Sequence, residues 1–338
     1  MQQALSFDDV LLVPKYSDIE SRKHVDISSA MDAENKLELP VFASPMDTVS
    51  EVAMANAMSK HGGSAIIHRY NTIAEQADLI GAPVKAGSFV GAAIGVTGDY
   101  LERAAMAREY GASFVCVDVA HGHHSMMRRA LTKLREVLGD GYHIMAGNVA
   151  TCEGFDAVAA WGADSIRVGI GGGSICSTRL VSGHGIPTLA SVLDCSRSTH
   201  DAKIIADGGI KTTGDMVKAF AAGADFVMVG SMLAGTKESP GEVLSSNSGK
   251  KFKVYRGMAS SEAQNDWRGK SSTAEGVSTT VPYKGSVEHI LNDIAGGIKS
   301  GFSYTGARTM AELRAKSTFI RQTAAGQVES STHIMRRY

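Results

Sequence analysis

The 338-residue chain predicts a (β/α)8 barrel forming one domain, residues 1–338, with a long flap inserted after the eighth strand. Two observations predict the barrel. Eight short, continuously apolar runs recur at steady spacing, the pattern of parallel strands buried on both faces. Helical patterns lie between them, so strand and helix alternate as in a parallel α/β fold. A third observation predicts the flap. The alternation breaks after the eighth run, and about fifty residues (235–285), rich in Gly, Ser, Lys and Glu, precede the next clear helix. A doubly wound open sheet is the rival architecture, because the same alternation builds both.

The predicted strands are 40–44 (PVFAS), 64–68 (SAIIH), 90–94 (VGAAI), 113–119 (SFVCVDV), 142–146 (YHIMA), 165–169 (SIRVG), 203–207 (KIIAD) and 225–229 (DFVMV). Helical spacing of apolar residues marks 51–61, 99–110, 124–137, 212–222 and, past the flap, 286–299. A loop as long as 235–285 inside a compact domain is usually a lid or a binding element. On a barrel it hangs over the C-terminal face, where active sites sit. The alternative is a plain surface excursion, against which stand its apolar anchors and the motif Tyr255-Arg256-Gly257-Met258. Residues 324–338 read as a polar tail.

Composition narrows the function. The hydrophobic share is 43%, the charged share 20% and the net charge -1, with no Lys/Arg block. A nucleic-acid surface is therefore not expected. The first residues, MQQALSFDDVLLVP, lack the charged and apolar regions of a signal peptide, and no run of about 18 apolar residues offers a membrane span. Of the cysteines, Cys116 sits in an apolar strand and Cys195 in a predicted helix, where packed thiols belong. Cys152 and Cys176 complete a set of four without a CxxC pair, which points to a reducing, cytoplasmic compartment.

The most informative stretch is 165–178, SIRVGIGGGSICST. A strand runs into three glycines, Gly171 to Gly173, then Ser174, Cys176 and Thr178. Glycines let the backbone turn sharply and come close to a ligand. Cys176, lifted onto such a loop, reads as a nucleophile, with Thr178 placed to relay a proton. A buried structural cysteine is the alternative, which the surrounding Gly and Ser disfavour. The glycine carbonyls could also ligate a monovalent cation.

Two further glycine turns end consecutive strands: Asp207-Gly208-Gly209 and Gly230-Ser231. Each alone could be a tight turn. Together, after strands seven and eight, they match the recurrent barrel phosphate site, where backbone N–H groups meet an anion. Asp207 suits a ribose diol, since a carboxylate accepts two hydroxyl protons. A nucleotide monophosphate follows. His121, His123 and His124 follow strand four as HGHH. Adjacent histidines rarely share one ion, so a polar rim is favoured over zinc. Asp118, ending strand four, is expected to face the cleft.

These residues resemble the IMP dehydrogenase / GMP reductase family. The likeness runs through FDDVLLVPKYS (7–17), ASPMDTV (43–49), MAGNVAT (145–151), RVGIGGGSICSTR (167–179), DGGI (207–210), ADFVMVGSMLAGTKESPGE (224–242), YRGM (255–258), AEGVSTTVPYKG (274–285) and STFIRQT (317–323). The resemblance implies a (β/α)8 barrel, usually a homotetramer, in which Cys176 attacks C2 of a purine nucleotide and forms a covalent thioimidate. It implies that Asp207, Gly208, Gly209, Gly230, Ser231 and Tyr255 hold ribose and phosphate. Ser174 and Met258 then meet the base and ribose, with Gly257 and Gly276 in the same binding segments. Asp118, with Val119 and Ala120, lies beside the nicotinamide. Carbonyls of Gly171, Gly173 and Cys176 match a potassium site. Thr178 and Glu275 match a pair that activates water or ammonia.

Within the family, several features resemble the reductase, which turns GMP into IMP and ammonia with NADPH. Only residues 69–89 separate strands two and three, leaving no room for the regulatory nucleotide-binding modules of the usual dehydrogenases. The flap, ASSEAQNDWRGKSSTAEG, is short and lacks their Arg-Tyr pair. Ser21-Arg22 resembles a segment that meets the 2′-phosphate of NADPH, and an arginine suits a phosphate. Other features resemble the dehydrogenase: VGSMLAGTKESPGE and KVYRGM. Ser271 and Ser272 replace a Tyr and an Arg of the reductases, and Gly172 replaces a Pro in the cation loop. The expected activity is GMP reduction. An IMP dehydrogenase using NAD and lacking the insert is the alternative, and a non-catalytic purine nucleotide sensor is the alternative from another class.

Overall fold

The computed structural model describes residues 3–330. Eight parallel strands close into a barrel: β1 (Val41–Ala43), β2 (Ser64–Ile67), β3 (Val90–Ile94), β4 (Phe114–Asp118), β5 (His143–Val149), β6 (Ser165–Val168), β7 (Lys203–Asp207) and β8 (Phe226–Val229). Each pairs with its neighbour in sequence, and β8 closes on β1 with Val227 opposite Val41. The predicted (β/α)8 barrel is therefore the fold, and the open sheet is excluded.

Side chains alternate across each strand, so every second residue enters the lumen. Phe42, Ile66, Phe114, Met145, Ile205 and Phe226 fill it as one cluster. Phe42 meets Phe114 edge-on, with ring centroids 5.7 Å apart. The intervening residues (Val41, Ala65, Val115, Ile166, Ala206, Val227) pack outward against the helices. Two apolar layers thus explain why the strands read as continuous apolar runs.

The outer ring comprises α1 (Val52–Lys60), α2 (Ile73–Lys85), α3 (Tyr100–Glu109), α4 (Ser125–Leu138), α5 (Cys152–Ala160) and, past the short α6 (Thr178–Ser182) of the loop after β6, α7 (Thr188–Cys195), α8 (Thr213–Ala221) and the helix Val287–Thr305, which packs on α8 and α1. In α4, Met127, Ala130, Leu131, Leu134 and Leu138 are buried at helical spacing. Helix starts follow local chemistry. Thr72 with Glu75 and Thr212 with Asp215 form capping boxes, which satisfy N-terminal N–H groups reciprocally.

The flap is folded. β9 (Leu244–Ser245), β10 (Lys251–Arg256) and β11 (Ser278–Pro282) make an antiparallel sheet, with α9 (Ser261–Arg268) between β10 and β11. Lys253 pins its base. The side chain is buried, and Nζ donates to the carbonyl of Thr236 at 3.1 Å and to that of Ser239. Burial pushes this ammonium's pKa down.

Helix α10 runs over Val287–Thr305, six residues beyond the predicted end at 299. It is followed by α11 (Met310–Lys316). Residues Val10–Leu12 pair antiparallel with Phe319–Arg321, tying both ends of the chain together. Part of the predicted polar tail is helical, α12 (Ala324–Glu329), while 331–338 lie outside the described residues. A small hairpin, Ser29–Ala30 with Lys36–Leu37, brings Met31 and Leu37 into the lumen cluster. Among the described residues no helix is long and apolar enough to cross a membrane.

Candidate active site

A cavity of about 480 Å³ opens at the C-terminal ends of the strands. Its wall contains every site residue expected from the sequence except Ser21 and Arg22. The βα loops converge there because the strands are parallel, and the flap supplies the remaining side.

The loop after β6 presents Cys176. The residue is exposed, and its thiol donates to the Thr178 hydroxyl at 3.2 Å. The other cysteines differ. Cys116 and Cys195 are buried, and burial pushes the Cys116 thiol up to about 12. Cys152 is half-buried, with burial and the nearby Asp156 raising its pKa. Cys176 is thus the thiol best placed to meet a ligand.

The flap is zipped to this loop. Val277 N–H donates to the Ile175 carbonyl at 3.0 Å, and Ser177 N–H donates to the Glu275 carbonyl at 2.9 Å. These bonds set Cys176 opposite Gly276 as an antiparallel bridge. Glu275 is thereby carried to the cysteine side of the cavity although it lies about a hundred residues away in sequence.

The predicted anion cradle lines the same cavity, with Gly208 packed against Gly172 and Gly173 of the cysteine loop. Gly208 and Gly209 both adopt positive φ, 88° and 77°, so the turn after β7 needs glycine twice. Gly230 is hemmed by Tyr255, Met46 and Ser44: a Cβ there would lie 3.1 Å from the Tyr255 hydroxyl. Tyr255 is only 4% exposed. Burial raises its phenol pKa, opposed by a hydrogen bond with Ser174.

Two residues the sequence reading passed over organise the floor. Arg167, in β6, points into the lumen and is nearly enclosed. Its Nη2 donates to Asp207 Oδ2 at 2.8 Å, and Nη1 donates to Asp118 Oδ1. Asn148 Nδ2 donates to the same Asp207 Oδ2 at 2.7 Å and to the Gly169 carbonyl at 2.8 Å. The hydrogen bonds to Asp207 all fall on Oδ2, and a carboxylate has two oxygens to offer. The signal was in the sequence. An arginine inside an apolar strand must find partners when buried.

The histidines of HGHH have structural duties. His124 Nδ1 accepts from Met126 N–H at 3.1 Å and caps α4, and the His123 ring lies 6.0 Å from that of Trp161. Among the described residues no group of three or more His, Cys, Asp or Glu side chains is placed to hold a metal ion. A monovalent cation asks for different donors. Gly171, Gly173 and Cys176 offer uncharged backbone carbonyls, which suit potassium. The Gly173 carbonyl already accepts the Cys176 amide at 3.1 Å and keeps its second lone pair.

Ser21 and Arg22 are not brought to the cavity. Ser21 caps a short 3-10 turn, Arg22–His24, which packs on α10.

A (β/α)8 barrel with a cysteine raised on its sixth loop, beside glycine turns on its seventh and eighth, has the arrangement of a barrel enzyme, with its cavity at the C-terminal ends of the strands. The IMP dehydrogenase / GMP reductase domain matches residues 4–333, and the chain belongs to that family of purine-metabolising oxidoreductases. It is 38% identical over 330 residues to GMP reductase 2 of Homo sapiens, covering 94% of each chain. It is 33% identical, over an alignment of 470 positions including gaps, to inosine-5′-monophosphate dehydrogenase of Nitrosopumilus maritimus, covering 98% of each. Among solved structures it is similar to a cysteine-to-alanine variant of GMP reductase from Trypanosoma brucei in complex with guanosine 5′-monophosphate. That match has a TM-score of 0.93 and 30% identity over 98% of both chains.

Proposed function

We propose that this chain is a GMP reductase that converts GMP to IMP and ammonia with NADPH. The observation that carries the reading is the assembly of Cys176, Thr178 and Glu275 in one cavity with the glycine turns proposed as a cradle for phosphate. In this reading the Cys176 sulfur bonds to purine C2 as its proton passes to Thr178. The bond from C2 to the exocyclic amine then breaks, and ammonia leaves with protons handed on by Thr178 and Glu275. Asp118, Val119 and Ala120 would hold NADPH, which would supply the hydride for C2. The C2–S bond then breaks, returning Cys176 and releasing IMP.

Asp207 orients the ribose, with Arg167 and Asn148 fixing its carboxylate. Backbone N–H groups of Gly208, Gly209, Gly230 and Ser231, with Tyr255, take the phosphate. Gly257, Met258 and Gly276 close over the nucleotide from the flap, and Ser174 meets the base. Potassium, held by the carbonyls of Gly171, Gly173 and Cys176, would stiffen the nucleophile loop. Ser21 and Arg22 stay assigned to the 2′-phosphate of NADPH. Because that turn lies away from the cavity of its own chain, this assignment requires a neighbouring subunit, as in the homotetramer the family resemblance implies.

Identity alone does not separate reductase from dehydrogenase: 33% over 470 alignment positions and 38% over 330 are both family-level matches, and the longer alignment contains gaps because the chain has 338 residues. The dehydrogenase stays as a second reading because that relative aligns over 98% of both chains. The test mixes enzyme with GMP plus NADPH and, separately, IMP plus NAD, and follows absorbance of the reduced nicotinamide. Consumption in the first mixture supports the reading. Turnover only in the second replaces it with the dehydrogenase, and binding of GMP without turnover in either leaves a nucleotide sensor.

A further inference from the structure

Beyond the nucleophile loop, the flap touches the barrel at a second place that the reaction above does not use. Helix α9 carries Trp267. Its ring meets Tyr70, in the loop after β2, edge-on with centroids 5.4 Å apart. The Arg69 guanidinium lies 5.2 Å from the Tyr70 ring centroid and 5.8 Å from that of Trp267. A cation over two aromatic faces is held by the ring quadrupoles. The same arginine donates from Nη2 to the Asp118 carbonyl at 3.2 Å. Its Nε is buried without a hydrogen-bond partner, so the rings hold a group that its polar contacts leave partly unbound. A chain of contacts therefore runs from the flap (Trp267) through Arg69 to the backbone of Asp118, at the start of the segment assigned to the nicotinamide.

The rest of α9 is tied differently. Asp266 accepts from Arg256 Nη1, and Arg256 also grips Asp47 at 2.6 Å. Gln264 Nε2 donates to the Ala259 carbonyl at 3.0 Å, and its Oε1 accepts from Ser272 N–H at 2.8 Å. Those bonds fold the helix back on the flap and on the loop after β1. Trp267 alone among these contacts leads to Asp118.

We propose that Trp267 is the latch that closes the flap on the cofactor half of the cavity, and that Arg69, gripped between Tyr70 and Trp267, is the positioning residue through which closure sets the Asp118 backbone for a nicotinamide dinucleotide. The nucleotide half is closed separately by the Cys176–Gly276 bridge. The latch thus governs one of the two ligands. The inference rests on the nicotinamide reading of the Asp118 side and holds whichever of the two activities the chain has.

The test measures KM for each ligand, with the pair that turns over, in Trp267→Ala, Trp267→Phe and Tyr70→Leu. Losing one such aromatic contact is worth up to about tenfold in an equilibrium. Trp267→Ala and Tyr70→Leu are each expected to raise the cofactor KM about tenfold and leave the nucleotide KM within about twofold. Trp267→Phe, which keeps a ring face, restores most of the loss. The double variant loses no more than either single one, because both act through one contact. Amide exchange should quicken in 261–277 and at Val119 and Ala120 in Trp267→Ala. Equal rises in both KM values, no rise in either, or additive losses overturn the latch. Absence of wild-type turnover with both nucleotide–nicotinamide pairs overturns the functional reading instead, and the exchange pattern then decides the latch alone.

Discussion

Arg167 reaches from the middle of the barrel to Asp207 at 2.8 Å and holds Asp118 with its other nitrogen. One guanidinium therefore joins the carboxylate proposed for the ribose and the carboxylate proposed for the nicotinamide side, across strands β4 to β7, which pair in that order. Buried carboxylates left without their cation are strongly unfavourable. Arg167→Met is expected to lower stability by about 3–5 kcal/mol, read as the midpoint of urea unfolding. Arg167→Lys keeps the charge but cannot span both partners in a fork, so its loss should fall between the wild type and Arg167→Met. A Met variant as stable as wild type would show that the two carboxylates have other support.

Crowding around Gly230 gives a prediction about binding rather than folding. A Cβ there meets the Tyr255 hydroxyl at 3.1 Å, Met46 Sδ at 3.2 Å and Ser44 Oγ at 3.4 Å. The backbone is not in the left-handed region, so Gly230→Ala should fold. It should weaken nucleotide binding by about tenfold, or about 1.4 kcal/mol, measured by calorimetry. Gly169→Ala is the contrast: φ is 146°, and the Cβ would fall 1.9 Å from the Asp207 carbonyl. That variant should lose thermal stability first. Unchanged nucleotide affinity in Gly230→Ala would mean that the cradle lies elsewhere.

His143 gives the barrel a pH dependence. Its side chain is buried at the base of β5, with Nδ1 3.2 Å from Asp32 Oδ2 and Nε2 2.8 Å from Ser165 Oγ. Burial lowers its pKa below 6.5, although Asp164 and Asp32 pull upward, and Arg135 adds to the lowering. The unfolded chain therefore binds this proton first. Stability is full above pH 6.5 and falls as pH drops through the window down to the folded value. The slope reaches at most about 1.4 kcal/mol per pH unit for one proton. His143→Gln should flatten it. Urea midpoints at several pH values from neutral downward check this, and identical slopes in both proteins would contradict it.

Legibility in the sequence followed the physics of each element. Strand β7 lies where predicted, at 203–207, because apolar runs between two apolar layers have no polar face to blur them. Strand β5 runs on to Val149, past the expected end at 146, because Asn148 breaks the apolar run while its side chain serves Asp207. The flap strand Lys251–Arg256 alternates, with Lys253 and Tyr255 buried, and a search for continuous apolar runs does not find it. Chain-end pairing and the hairpin under the barrel depend on contacts between distant segments, so no local pattern announces them. At the site, Cys176 and the glycine turns were readable from local chemistry. Arg69, Tyr70 and Trp267 were not, since only the fold brings α9 to the second loop.

In the proposed reaction the Cys176 sulfur is the group that bonds to the purine. The most direct measurement is the rate of reduced-nicotinamide consumption with GMP by Cys176→Ala, beside calorimetric binding of GMP by the same variant. The predicted result is no turnover with GMP affinity within about threefold of wild type, or about 0.7 kcal/mol. Steady turnover by the alanine variant would contradict it.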